Sequence, residues 1–171
     1  MKKMRKIAVL SGDGIGPEIM EEAVKILTRV GEIFKCKFEF VEGLIGGAAW
    51  DKFGEHFPKE TRKTCENADA ILFGSVGGPV DRQMEKKWKN CETNSILALR
   101  KQFNFNVNLR PVKIYQELKA NCVLRADIVE KGIDLLCVRE LSQDIYFGEH
   151  KTVGKAGQRR ASDEMAYDEV V

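Results

Sequence analysis

The sequence predicts an α/β fold, a parallel sheet with helices on its faces, and three observations predict it. A short apolar run at Ile7-Ala8-Val9-Leu10, an alternating run at Lys37-Phe38-Glu39-Phe40-Val41 and a further apolar run at Ala70-Ile71-Leu72-Phe73-Gly74 are each the length of a strand. Helix-spaced apolar residues lie between them, first at Ile19, Ala23, Ile26, Leu27, Val30, Ile33 and Phe34. The first and third runs pass directly into glycine-rich turns, Ser11-Gly12-Asp13-Gly14-Ile15-Gly16 and Gly74-Ser75-Val76-Gly77-Gly78-Pro79. Strand and helix in alternation are the pattern of a parallel sheet.

Each element has its own justification. Pro17 suits a first helical position, and Glu18 complements the helix dipole there. The apolar stripe that follows reads as a core face. The stretch from Gly43 to Phe57 is mixed and takes no assignment, whereas Pro58 opens a short helix from Glu60 to Cys65. Residues Gln83 to Lys89 are densely charged and read as an exposed loop or frayed helix. A helix over Asn94–Phe103, capped by its polar opening, precedes a strand through Phe105, Val107 and Leu109. Ala126 to Lys131 reads as helix, Ile133 to Val138 as a buried strand, and Ile145-Tyr146-Phe147 as a short strand. Glu149 to Arg159 reads as a polar loop and Ala161 to Val171 as extended chain. A lobe boundary is expected near residue 105, dividing the chain into 1–105 and 106–171.

Composition narrows the function. With 171 residues, 43% hydrophobic and 32% charged, the chain has the make-up of a soluble globular protein able to bury a core. Its 28 basic and 26 acidic residues leave a net charge of +2, which argues against nucleic acid as a partner. Five cysteines at wide spacings, with only His56 and His150 beside them, read as free thiols of a cytoplasmic protein rather than as metal ligands. The basic start Met1-Lys2-Lys3-Met4-Arg5-Lys6 is followed by too short an apolar run for a signal segment, and no stretch is long enough to span a membrane.

The motifs divide between scaffold and site. Gly12-Asp13-Gly14-Ile15-Gly16 fails the dinucleotide fingerprint, since its third glycine comes one residue early and Pro17 stands where that glycine belongs. It serves equally as an ordinary strand-to-helix turn. The loop Ser75-Val76-Gly77-Gly78 ends a parallel strand, the place where open α/β sheets bind ligands, although a flexible turn would look the same. Arg100 ends a helix, while Arg110 and Arg139 end apolar runs. Guanidinium forks at such ends, with Tyr146 close behind, would clamp a small substrate carrying two carboxylates. Alone, each arginine would be a solvated charge and Tyr146 a half-buried core residue. Glu92 either caps the helix or faces a ligand.

Together these stretches resemble the β-decarboxylating dehydrogenases, the isocitrate and isopropylmalate enzymes. The resemblance is carried by Gly12-Asp13-Gly14-Ile15-Gly16-Pro17-Glu18, Gly74 to Pro79, Leu97-Ala98-Leu99-Arg100-Lys101, Asn108-Leu109-Arg110-Pro111, Val138-Arg139-Glu140-Leu141 and Ile145-Tyr146-Phe147-Gly148, in family order. It implies an isopropylmalate-dehydrogenase-like, two-lobed, non-Rossmann α/β fold working as a homodimer. The implied reaction oxidises a 2-hydroxy dicarboxylate with NAD and a divalent metal, Mg or Mn, and then loses CO2. Arg100, Arg110 and Arg139 would hold the malate carboxylates. Tyr146 would protonate the enol, and Ile15, Glu92, Ser75, Val76, Gly77 and Gly78 would lie at the nicotinamide end of the cofactor.

Isocitrate enzymes place a serine and an asparagine where this chain has Asn94 and Ile96. The apolar pair Ile96–Leu97 suits a branched alkyl group and would leave a third carboxylate unsatisfied, which favours isopropylmalate and leucine biosynthesis. Polar Asn94 keeps tartrate or homoisocitrate open. Ser142-Gln143-Asp144 departs from the family's Thr-Gly-Gly beside the expected acid. Family members are also longer, and the catalytic lysine and metal-binding aspartates belong to the part not represented here. The resemblance therefore implies an amino-terminal portion, inactive alone and prone to oligomerise through uncovered apolar faces. The rival from another class is a non-catalytic α/β module that binds a small anion or a protein partner.

Overall fold

The computed structural model describes residues 4–141 and 149–164, so Tyr146 and Ser142-Gln143-Asp144 lie outside the described residues. In chain order the regular elements are β1 (Arg5–Gly12), α1 (Gly16–Phe34), β2 (Phe38–Glu42), α2 (Gly47–Phe53), α3 (Lys59–Glu66), β3 (Ala70–Ser75), a π-helical turn (Thr93–Leu97), α4 (Ala98–Gln102), β4 (Val107–Lys113), α5 (Ala126–Val129), β5 (Asp134–Glu140), β6 (His150–Val153) and β7 (Arg160–Asp163). They fall into two compact units, Met1–Leu99 and Arg100–Val171.

The first unit is built on β1. It pairs in parallel with β2 on one side, Ile7 opposite Phe40, and with β3 on the other, Val9 opposite Leu72. Successive side chains leave opposite faces of a strand. Ile7 and Val9 therefore share a face, where they pack with Met20 and Val24 of α1 and with Phe38, Phe40 and Leu72. Ala8 and Leu10 leave the other face and are fully buried; Leu10 and Thr61 of α3 both close on Gly43 there. Ile45, Ala49 and Phe57, from α2 and its flanks, are buried as well. At β1, helix–sheet–helix layering thus replaces water on both sides. Burying a Leu10-sized side chain contributes about 1.5–3 kcal/mol.

Helix α1 starts at Gly16 with Pro17 in its first turn, and ends where Lys35 turns left-handed at φ 53°, with Cys36 N–H bonding back to Gly31 O at 2.9 Å. Its stripe is not all core. Met20 and Gly31 are buried, but Ile26, Ile33 and Phe34 remain 64%, 58% and 63% exposed. The apolar arc is wider than the sheet beneath it covers. The unassigned stretch after Gly43 contains α2, opened by Gly46 at φ 73°.

In the second unit β4 and β5 pair antiparallel, with Asn108 opposite Arg139 and Arg110 opposite Cys137. The strand expected as buried is a strand, yet Leu135, Leu136 and Val138 are 50%, 55% and 63% exposed. Among the described residues the two strands form a ribbon, which covers neither of its own faces. The polar loop expected from Glu149 to Arg159 instead supplies β6, which pairs antiparallel with β7, Val153 opposite Arg160. Main-chain bonding and the contact of His150 Nδ1 with Asp163 Oδ1 at 2.8 Å hold this hairpin, and neither leaves an apolar signature in the sequence.

Candidate functional site

The glycine-rich loops after β1 and β3 lie side by side. Gly12 pairs with Ser75, Asp13 N–H donates to Ser75 O at 2.7 Å, and Ser75 Oγ donates back to Asp13 O at 2.7 Å. Only a residue without Cβ permits this approach, because a Cβ on Gly12 would stand 1.8 Å from Ser75 O.

Asp13 is the centre of the arrangement. Its buried carboxylate accepts Ala48 N–H on Oδ1 at 2.8 Å, and on Oδ2 it accepts Gly47 N–H at 2.8 Å and Gly77 N–H at 3.2 Å. The Cys91 thiol also points at Oδ2, at 3.8 Å. One ionisable group thus joins the turn after β1, the start of α2, the loop after β3 and the helix that begins near Cys91. Backbone donors aimed at a carboxylate in a desolvated place are strong partners. Trp88 closes the same region, its ring lying where Cβ atoms on Gly47 or Gly78 would stand, at 2.2 Å in each case.

Glu92 is exposed within the helix and makes no capping bond; its Oε1 lies 3.7 Å from where Gly77 would carry a Cβ. Val76 leans on Gly12 and Gly46. Ile15 precedes α1 and is 60% exposed. Ile96 and Leu97 sit half-buried in the π-helical turn, where Ser95 is fully buried and its Oγ donates to Cys91 O at 2.5 Å. A π-turn shifts the side chains after it relative to those before it, and such turns concentrate at functional sites. Here it sets the direction of Ile96 and Leu97 relative to Glu92. Asn94 instead lines a separate cavity of about 260 Å³ with Ala98, Trp50, His56, Phe57 and Arg62.

In the second unit the arginines fall into a pattern. Residues directly opposite in an antiparallel pair share a face, as do residues two apart on one strand. Arg139 opposes Asn108, and Arg110 lies two residues beyond Asn108, so Arg110 and Arg139 are diagonal neighbours on one face of the ribbon. Val107, Leu109, Leu136 and Val138 take the other face. Arg100, half-buried near the end of α4, is tied to the approach to β4, its carbonyl accepting Phe105 N–H at 2.9 Å. Tyr146 lies outside the described residues.

Sequence reasoning did not single out Asp13, Trp88 or Cys91. Asp13 carried a usable signal, an acidic side chain between two glycines at a strand end. Cys91 carried none. Its thiol is pushed up to about 11, by burial first and by the Asp13 charge second, and burial with a smaller contribution from Glu66 takes Cys65 to about 11 as well. Both folded values exceed the ordinary thiol value of 9.0, so the stability they carry is complete below that pH and is lost as pH rises toward 11. Melting followed by circular dichroism is expected to hold steady to about pH 8.5 and then fall, with a shallower fall in a Cys65→Ala/Cys91→Ala variant. Equal slopes in the two proteins would assign the alkaline loss to other groups.

Among the described residues no group of three or more His, Cys, Asp or Glu side chains is gathered to hold a metal ion. No described helix is long and apolar enough to cross a membrane.

A model of the isocitrate/isopropylmalate dehydrogenase family matches residues 6–170. A 3-isopropylmalate dehydrogenase of Campylobacter jejuni is 49% identical over 97% of this chain and 44% of its own length. One from Aquifex aeolicus is 45% identical over 99% of the chain and 46% of its own length. Among solved structures, a β-decarboxylating dehydrogenase of Thermococcus kodakarensis aligns with a TM-score of 0.60 at 29% identity, covering 95% of this chain and 41% of that one. The isocitrate dehydrogenase of Methylococcus capsulatus, at 23% identity and a TM-score of 0.72 over 96% of this chain and 43% of that one, shares the fold. The chain thus spans less than half the length of the relatives it matches, corresponding to their amino-terminal portion. It has the two-lobed α/β fold of these enzymes in incomplete form, and it belongs to the isocitrate/isopropylmalate dehydrogenase family.

Proposed function

We propose that these residues supply the substrate-side and nicotinamide-side groups of an NAD-dependent oxidative decarboxylase of 3-isopropylmalate, acting in leucine biosynthesis. The observation that carries this reading is the placement of Arg110 and Arg139 on one face of β4–β5. Two permanent cations on adjacent strands fit a substrate with two carboxylates, and each planar fork can grip one of them bidentately. Arg100 joins them by resemblance. Half-buried Ile96 and Leu97 offer a branched alkyl group an apolar contact and a third carboxylate nothing to bond. Asn94, exposed and lining a cavity with Trp50, His56 and Arg62, gives no support to a tartrate or homoisocitrate substrate.

Bound NAD would supply the hydride acceptor. Ser75, Val76, Gly77 and Gly78, with Glu92 beside Gly77 and Ile15 exposed after β1, fit its nicotinamide end. Gly77 at φ 127° lets the main chain approach a ligand without a side chain between them. Tyr146 is assigned the proton that the enol receives after CO2 leaves. The described residues do not themselves gather a set for Mg or Mn, so those ligands are assigned to the further length the relatives possess. A homodimer in the cytoplasm completes the proposal, with residues up to about 105 in the first lobe and later residues beginning the second.

The test is NADH formation from 3-isopropylmalate, NAD and Mn. No turnover by the 171-residue chain is expected, with turnover on adding the carboxyl-terminal half of the Campylobacter jejuni relative. Turnover by the chain alone would overturn the division of labour. No turnover in the mixture, with no arginine-dependent substrate binding, would leave a non-catalytic binding module in its place.

A further inference from the structure

We infer that Asp13 is a positioning residue, whose single carboxylate makes the loop after β3 and the helix bearing Ile96 and Leu97 move as one body. The inference rests on the cofactor and substrate roles proposed above. The loop is held through Gly77 N–H at 3.2 Å, and the helix through the Cys91 thiol at 3.8 Å on the same Oδ2. Gly47 and Ala48 N–H, each at 2.8 Å, fix the carboxylate itself in place. Ser95 carries the restraint one turn further by donating to Cys91 O at 2.5 Å, directly before Ile96. The nicotinamide-side loop and the substrate-reading turn therefore share one buried acceptor. A ligand that orders one orders the other, and the cost of ordering both is met once.

Asparagine cannot replace Asp13. Donors reach both oxygens, so an amide nitrogen in either position would face an N–H. The Asp13→Asn variant of the 171-residue chain is to be studied without ligand, in a Trp50→Phe background so that fluorescence reports Trp88 alone. Acrylamide quenching follows the loop, and mass spectrometry of maleimide-labelled peptides follows Cys91. Both are expected to rise by about tenfold, the change that follows when a buried donor loses its acceptor. In Gly78→Ala, whose Cβ displaces the Trp88 ring but leaves the tie through Asp13 intact, quenching is expected to rise from the ring alone while Cys91 stays protected. Cys91 labelling unchanged in Asp13→Asn would overturn the inference.

Should Asp13→Asn fail to fold, Cys91→Ala removes only the thiol arm. In the enzyme joined with its other half, this variant is expected to raise KM for both NAD and isopropylmalate by about threefold or more, with an unchanged circular dichroism spectrum. Movement of one KM alone would overturn the shared tie. Absence of turnover in the wild-type mixture would defeat the function proposed above and leave the labelling result to decide the role of Asp13.

Discussion

Under the proposed function, replacing Arg110 or Arg139 by methionine is expected to weaken 3-isopropylmalate binding by about 10- to 100-fold each, the loss that follows removal of a charge-assisted, forked hydrogen bond to a carboxylate. Methionine keeps an unbranched apolar stem and removes the guanidinium. Lysine at either position restores the charge but not the fork, and recovers part of the affinity. Because the two residues are diagonal neighbours on one face of β4–β5, their effects are expected to be coupled. Isothermal titration of the single and double variants measures this directly. Additive losses would mean two ligand groups held independently. Changes under twofold in both single variants would place the carboxylates elsewhere and remove the main support for the proposed substrate.

Gly12→Ala is expected to cost about 3 kcal/mol or more of unfolding free energy, among the larger effects a single methyl can produce. Two penalties combine. Gly12 has φ 74°, a region that disfavours any side chain, and its new Cβ would stand 1.8 Å from Ser75 O. The obstruction is main chain on a neighbouring strand, so no rotamer change relieves it; β1 and β3 must separate. Gly54 is the control. It has φ 73° but nothing within 4 Å of its Cβ position, so Gly54→Ala carries only the conformational cost, about 1 kcal/mol. Urea denaturation of both variants separates the contributions. Equal losses would show that the contact between the strand ends is relieved easily.

What was legible in the sequence is what local patterning controls. Ile7 to Leu10 and Ala70 to Gly74 are strands because their apolar runs are bounded by turn residues. The start of α1 follows from Pro17, and two glycine-rich loops at parallel strand ends were bound to be neighbours once their strands paired. The rest depends on partners. Helix α2 opens on Gly47-Ala48-Ala49 and runs only to Phe53, too short to show a helical apolar period, and it starts where Asp13 takes its N–H groups. The fourfold role of Asp13 could not be read locally, since its partners come from Gly47, Ala48, Gly77 and Cys91. Burial was misjudged at Ile33 and Val138 for the same reason: apolarity tells a residue to seek cover, not whether the described chain provides it. The π-turn at Thr93–Leu97 is a local departure from the helical period that no periodicity count anticipates.

The central strand also imposes an order of events on synthesis. β1 has no hairpin partner: Ile7 pairs with Phe40 and, across the longest strand pairing in the unit, with Ala70. Such distant pairings form slowly, because loop-closure entropy is lost before any contact is gained. On the ribosome, α1 and β2 can cover part of the segment from Ile7 to Leu10 early, but its edge facing β3 must wait, unpaired, until the chain has emerged past Ser75. An unpaired strand edge in that interval is where misassociation is expected, and slowing translation between β2 and β3 would lengthen it.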